Sequence, residues 1–209
     1  MPLLARGSAP FIILPAIPAV LSLLLWMWWP LLAVILFAFF LLITIIVINF
    51  FRDPERNIGK GIISPADGIV RKAERTEEKA YVSIFMNVHN VHVNRAPLAG
   101  RVLEVTKVEG PKHPAYDEDA DHNERVRTVL ETVLGKVEVV QMVGIVARRI
   151  LPYIKPGQEL AKGERIGIIR FGSRVDVTFP GKGVLLKVKP GEKVYAGSTT
   201  IAEVENANI

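Results

Sequence analysis

The 209 residues include four histidines, His89, His92, His113 and His122, and no cysteine. Without a thiol, disulfides, thiolate catalysis and cysteine-ligated zinc or iron–sulfur sites are excluded. His89 and His92 form an H-x-x-H within residues 87–95, NVHNVHVNR. A spacing of three puts both rings on one face only if the chain is helical there, whereas a strand or turn splays them. Metal or acid–base work and an ordinary surface pair both stay open at this point. Asp67 closes the turn S-P-A-D-G, residues 64–68, and an Asp-Gly turn after a short apolar run needs no chemistry to explain it. His113 and His122 flank Asp117, Glu118, Asp119 and Asp121. That loop lacks the glycine and closing glutamate of an EF-hand and reads as solvated, with no metal expected.

Gly172-Ser173 lies within GIIRFGSRVDVTF, residues 167–179, with strand-like residues on both sides. A glycine lets the backbone distort and leaves its carbonyl uncovered, so the next hydroxyl can attack it. The attack needs a base, because an unaided serine hydroxyl is a poor nucleophile. Gly7-Ser8 and Gly197-Ser198 are the other pairs of this kind.

These groups must be held by two very different pieces of chain. The formal net charge is +5, from 26 basic and 21 acidic residues, yet residues 7–51 carry no formal charge at all. Within that stretch, residues 11–29 and 31–49 are apolar runs separated by Pro30. Each makes a helix of roughly 28 Å, close to the hydrocarbon thickness of a bilayer. Pro30 marks the turn of a hairpin, and Trp26, Trp28 and Trp29 beside it suit a membrane–water interface. Arg6 stands at one outer end and Arg52, Arg56 and Lys60 at the other, so a hairpin puts them on the cytoplasmic side, while Pro15 and Pro18 in the first run leave a re-entrant or interfacial segment open. We expect a membrane anchor over 1–51 and a catalytic domain over 52–209.

Beyond Arg52 the pattern becomes short β-branched runs closed by Gly, Pro and Asp, within residues 61–71, 80–89, 100–109, 136–148 and 183–189. This predicts a mainly β (α+β) fold. Residues 124–134, ERVRTVLETVL, read equally as helix or strand, and 110–123 reads as loop. Residues 154–163, IKPGQELAKG, return at 188–197 as VKPGEKVYAG, an offset of 34. Pro sets φ and Gly permits positive φ, so each copy predicts a tight turn entering a strand. The pattern resembles the half-motifs of biotinyl and lipoyl carrier domains, which implies a barrel-sandwich-hybrid-like β core and not an attached cofactor.

Taken in order, FRDPER at 51–56, SPADG at 64–68, the H-x-x-H of His89 and His92, Asn123-Glu124-Arg125, and GERIGIIRFGS at 163–173 closely resemble the phosphatidylserine decarboxylase proenzyme family. The match is to its short form, including archaetidylserine decarboxylase relatives, and runs from about residue 48 to the C-terminus. Val93-Asn94-Arg95 stands where long-form members carry Met-Pro. The resemblance implies a pyruvoyl enzyme. Ser173 would cut the chain after Gly172, with His92 as its general base and Asp67 orienting and charge-balancing His92. The ester so formed would eliminate and hydrolyse to a covalent pyruvoyl group on residue 173, leaving a large subunit 1–172 and a small one 173–209.

The same resemblance implies that the pyruvoyl ketone forms a Schiff base with a phospholipid's serine headgroup and that His89 serves the decarboxylation step. The product would be phosphatidylethanolamine or its archaeal counterpart. A homodimer at the cell membrane is expected, with no nucleic-acid partner. Gly197-Ser198-Thr199 is set aside as a cutting site because it lies inside the second K-P-G copy. Two other readings compete: a membrane-tethered barrel-sandwich adaptor without activity, and a metal hydrolase built on the histidines and the acidic loop.

Overall fold

The computed structural model describes residues 4–111, 113, 122–144, 149–170 and 173–204. They fall into two compact units, 1–55 and 56–209.

The first unit is a helical pair. Helix α1 spans Ala9–Ser22 and continues as a 3-10 turn over Leu23–Met27, and α2 spans Pro30–Phe50. Pro15 and Pro18 lie inside α1, each removing one backbone hydrogen bond. Pro30 is the first residue of α2 and not the turn itself. Its fixed φ and missing N–H suit a helix's first position, so the reversal falls on Trp28 and Trp29. Both segments are long and apolar enough to cross a membrane and are mostly exposed. Their polar side chains are satisfied locally: Ser22 Oγ donates to the Ala19 carbonyl at 2.6 Å and Thr44 Oγ1 to that of Phe40 at 2.8 Å. The two ends of the hairpin meet, with the Ala5 amide donating to the Phe51 carbonyl at 2.8 Å and Leu4 bridging Arg52.

The second unit is almost wholly β, as the short β-branched runs predict. Its strands are β1 (Ile62–Ile63), β2 (Gly68–Arg75), β3 (Lys79–Met86), β4 (Val93–Arg95) and β5 (Gly100–Val108). Then follow β6 (Arg125–Thr132), β7 (Gly135–Val143), β8 (Arg149–Pro152), β9 (Glu159–Leu160) and β10 (Arg165–Arg170). The last are β11 (Ser173–Pro180), β12 (Val184–Leu186), β13 (Lys193–Val194) and β14 (Thr200–Val204). An eight-stranded sheet runs β13-β2-β3-β11-β7-β6-β5-β9, and two three-stranded sheets run β1-β14-β12 and β4-β10-β8. The ambiguous segment around 124–134 resolves as β6, because it pairs antiparallel with β5 on one side and β7 on the other.

Alternation sets the core face of the large sheet. Ala80, Val82, Ile84 and Met86 of β3, Val137, Val139 and Val143 of β7, and Val175, Val177 and Phe179 of β11 are all buried. One apolar cluster joins them to Ile150, Ile166 and Ile169 of one small sheet and to Ile62, Val184 and Ile201 of the other.

The K-P-G repeat becomes a structural one. Gly191 donates to the Val70 carbonyl and Val70 back to that of Glu192, while Gly157 donates to Val102 and Val102 back to Gln158. Strands β13 and β9 then pair with β2 and β5 at the two edges of the large sheet. Each copy ends on a positive-φ glycine, Gly197 at 81° and Gly163 at 80°. Gly197 donates to the Ser64 carbonyl and Gly163 to that of Ala96, both at 2.9 Å. The matching partners show that the S-P-A-D-G turn at 64–68 has an echo, A-P-L-A-G at 96–100.

Candidate active site

Ser173 is the first residue of β11, a central strand, and is fully buried. Period-two alternation places it in line with Val175, Val177 and Phe179, on the face that looks into the core. It stands opposite Met86 on one side and Val143 on the other. Its Oγ donates to Met86 Sδ at 3.3 Å. A thioether is a weak acceptor, so the hydroxyl proton is loosely held. Gly172, the other half of the sequence-predicted cutting site, lies outside the described residues.

One row further along the same face, Gln141 of β7 pairs with Val175. It is 1 % exposed, a carboxamide in a row otherwise filled by valines. Its Nε2 donates to Asn94 Oδ1 at 2.7 Å, and Asn94 Nδ2 donates to the same Met86 sulfur at 3.6 Å. Asn94 and Gln141 had no place in the sequence reading. Their signal was a polar residue in phase with Val137, Val139 and Val143.

The two histidines do not share a face. Residues 87–90 form a tight turn, closed by the Asn90 amide to the Asn87 carbonyl at 2.9 Å and the Asn87 amide to Asn90 Oδ1 at 2.8 Å. This leaves His89 exposed on the turn, while His92, two residues past its end, is fully buried. His92 Nδ1 lies 2.9 Å from the Asn90 carbonyl. A carbonyl only accepts, so Nδ1 carries a proton, and in the neutral ring that tautomer leaves the lone pair on Nε2, the form a general base needs. The His92 carbonyl accepts from the Ile169 amide of β10, three residues before Gly172 in sequence.

Asp67 is buried in its turn. Its Oδ2 accepts from Arg56 Nη2 at 2.8 Å and its Oδ1 from the Ala196 amide at 2.8 Å. Each oxygen therefore binds a donor other than His92. The turn is itself tied to the histidine segment, because the Arg95 amide donates to the Pro65 carbonyl at 2.9 Å. Arg56 is a partner that sequence reasoning missed, eleven residues away and hidden in the charged run FRDPER. The alternative Gly197-Ser198 pair sits in a regular turn, with the Gly197 carbonyl held by the Gly59 amide at 2.9 Å.

Two further anchors frame Ser173. Buried Asn123 spans the His113 backbone and the Val143 carbonyl, fixing the base of the loop beside Ser173's neighbour. On the opposite face of β11, Arg174 Nη2 donates to Asp176 Oδ2 at 2.9 Å. Burial first, and then the Asp176 charge, hold the Tyr81 phenol above its ordinary range. The acidic residues Asp117, Glu118, Asp119 and Asp121 lie outside the described residues. Among the described residues no three His, Asp or Glu side chains converge as a metal site would require.

A family model for phosphatidylserine decarboxylase matches residues 43–202. The chain is 49 % identical over 154 residues to a phosphatidylserine decarboxylase proenzyme of Streptomyces coelicolor, covering 73 % of this chain and 70 % of that protein. It is 44 % identical over 218 aligned positions to one of Burkholderia ambifaria, covering 98 % and 97 %. To one of Geotalea uraniireducens it is 43 % identical over 212, covering 96 % and 95 %.

Proposed function

The chain belongs to the phosphatidylserine decarboxylase family, and on that premise we propose that it is a membrane-anchored proenzyme. It cuts its own backbone between Gly172 and Ser173 and then removes the carboxylate of the phosphatidylserine headgroup as CO2, leaving phosphatidylethanolamine. The observation that carries this reading is Ser173 itself, a hydroxyl sealed in the core at the head of a central strand, whose proton goes to a thioether among the described residues. A serine with no processing role gains little from such a place, since a buried hydroxyl without a good partner is a cost.

Ser173 Oγ attacks the Gly172 carbonyl carbon. The C–N bond to residue 173 breaks, leaving Gly172 as an ester on the hydroxyl and a free amine on residue 173. Loss of the Cα proton expels the Gly172 carboxylate and leaves dehydroalanine, whose imine tautomer takes up water and releases ammonia. Residue 173 thereby ends as a pyruvoyl group. His92 Nε2 receives the hydroxyl proton, in the division of labour of a serine–histidine pair. Asp67 orients His92 through the turn whose Pro65 carbonyl binds the Arg95 amide, and Arg56 holds the Asp67 charge in place.

The pyruvoyl ketone supplies the electron sink that decarboxylating an amino acid requires. The lining of residue 173 fits a carbonyl, because Asn94 Nδ2, a donor, rests on Met86 Sδ, the same weak acceptor that the Ser173 hydroxyl uses. His89, exposed on its turn, delivers a proton to the headgroup α-carbon once CO2 has left.

Helices α1 and α2 form the anchor, which tethers the catalytic unit to the bilayer that carries its substrate. The meeting of Leu4 with Arg52 places Arg6 and Arg52 at one end of the hairpin, and this supports a cytoplasmic catalytic unit.

Intact-mass analysis of the purified full-length protein tests the scheme. The expected result is two chains, 1–172 and 173–209, the second lacking a free amine, with Ser173→Ala uncut and inactive. An uncut wild-type chain that still makes phosphatidylethanolamine overturns it.

A further inference from the structure

Gln141 and Asn94 are 1 % and 0 % exposed, and buried carboxamides are costly unless every polar atom is bonded. This pair is half satisfied. The 2.7 Å bond from Gln141 Nε2 to Asn94 Oδ1, taken with the Asn94 Nδ2 contact to Met86 Sδ, sets which end of each group points where. What remains includes a donor group, Asn94 Nδ2, resting on a thioether at 3.6 Å, and an acceptor, Gln141 Oε1, with no donor among the described residues.

The fold keeps room for this arrangement. Gly167 of β10 stands opposite Asn94, and a Cβ there would lie 3.2 Å from Gln141 Nε2 and 2.8 Å from the Leu151 carbonyl. Any side chain at 167 would push against the pair. The sulfur that takes the Asn94 donor also takes the Ser173 hydroxyl. Asn94 Nδ2 and the Ser173 hydroxyl thus share one weak acceptor, and Gln141 sits one row along the same face of the sheet, paired with Val175.

A donor on a poor acceptor, next to an acceptor with no donor, is the complement of a carbonyl oxygen approached by an amine. We propose that the Asn94–Gln141 pair receives those two reactants, Asn94 Nδ2 donating to the ketone oxygen on residue 173 and Gln141 Oε1 accepting from the amine of the lipid headgroup. The proposal rests on the reading above that residue 173 becomes a ketone. Neutral carboxamides suit the task because a buried carboxylate would hold the amine protonated and unreactive. In a dry site the new hydrogen bonds are also stronger than they would be in water. A headgroup with a hydroxyl but no amine can form no Schiff base with the ketone, so this chemistry selects amino headgroups.

The test uses full-length protein in detergent and follows residue 173 rather than turnover. Hydroxylamine, a small amine, is added to the cleaved protein, and its capture by the 173–209 chain is timed by intact mass. Asn94→Leu removes the donor, and Gln141→Leu removes the acceptor. Each is expected to be cut as wild type is, yet to capture hydroxylamine about tenfold more slowly or worse. In Asn94→Leu the ketone band in the infrared is expected at higher frequency. Wild-type capture rates in both variants, with an unmoved band, overturn the pair's role and leave the pyruvoyl reading standing. Failure of both variants to be cut overturns it too, since the pair then belongs to maturation or folding. An uncut wild-type chain overturns the pyruvoyl reading and takes this proposal with it.

Discussion

The two K-P-G copies use the same hydrogen bonds to do different work. In each, a turn with proline enters an edge-proximal strand, a short strand pairs with it, and a positive-φ glycine closes the unit. Gly68 and Gly100 even play one part, since a Cβ on either would meet a neighbouring strand's carbonyl at 2.2 Å or 2.3 Å. Of the three positions at which the two turns differ, 64/96, 66/98 and 67/99, only the last changes a charge. Asp67 precedes Gly68, is buried, and binds Arg56 and the Ala196 amide, whereas Ala99 precedes Gly100 and is exposed. The scaffold is duplicated and the charge is not. A repeat in sequence thus marks where structure is shared, and the departure from the repeat marks where chemistry is to be sought.

The comparison can be broken most directly at that position. Asp67→Asn is expected to slow self-cleavage at least about 100-fold, followed on denaturing gels, while Ala99→Asp leaves the rate unchanged. Equal effects from the two would erase the distinction. Arg56→Met strands a buried carboxylate with one remaining donor and is expected to cost about 3 kcal/mol in denaturant unfolding.

The closing glycines sharpen the contrast. Gly163→Ala and Gly197→Ala both force a side chain into positive φ and are expected to cost about 1–2 kcal/mol each. Only Gly197→Ala, beside the amide that binds Asp67, is expected to slow cleavage as well.

The smallest effect lies outside both copies. Tyr81's raised pKa means that its stabilising contribution is fully present below the unfolded value near 10 and is lost as pH rises toward the folded one. Tyr81→Phe is expected to flatten the fall of Tm above about pH 10.

Much of the fold was legible because it rests on local pattern. The charge-free run at 7–51 announced the helical pair, and the β-branched runs announced the strands. The segment 124–134 was not legible, because Val and Thr there fit either periodicity until β5 and β7 flank it. At the site, Ser173, His92 and Asp67 stood out by motif. Their partners did not, because those contacts are tertiary: Gln141 meets Asn94 across 47 positions and Ala196 meets Asp67 across 129. The A-P-L-A-G echo was hidden for a related reason, since only the shared backbone partners reveal that Ala99 matches Asp67.

The place of β11 has a consequence for the life of the molecule. A chain opened ahead of Ser173 keeps its C-terminal piece woven in at three points: β11 between β3 and β7, β13 along β2, and β14 between β1 and β12. Nothing covalent is needed to retain it while the sheets stand. Once denatured, the two fragments would have to find each other by diffusion, so recovery would depend on concentration and compete with aggregation. The matured protein would then owe its persistence to slow unraveling rather than to reversible folding, and heat would inactivate it for good.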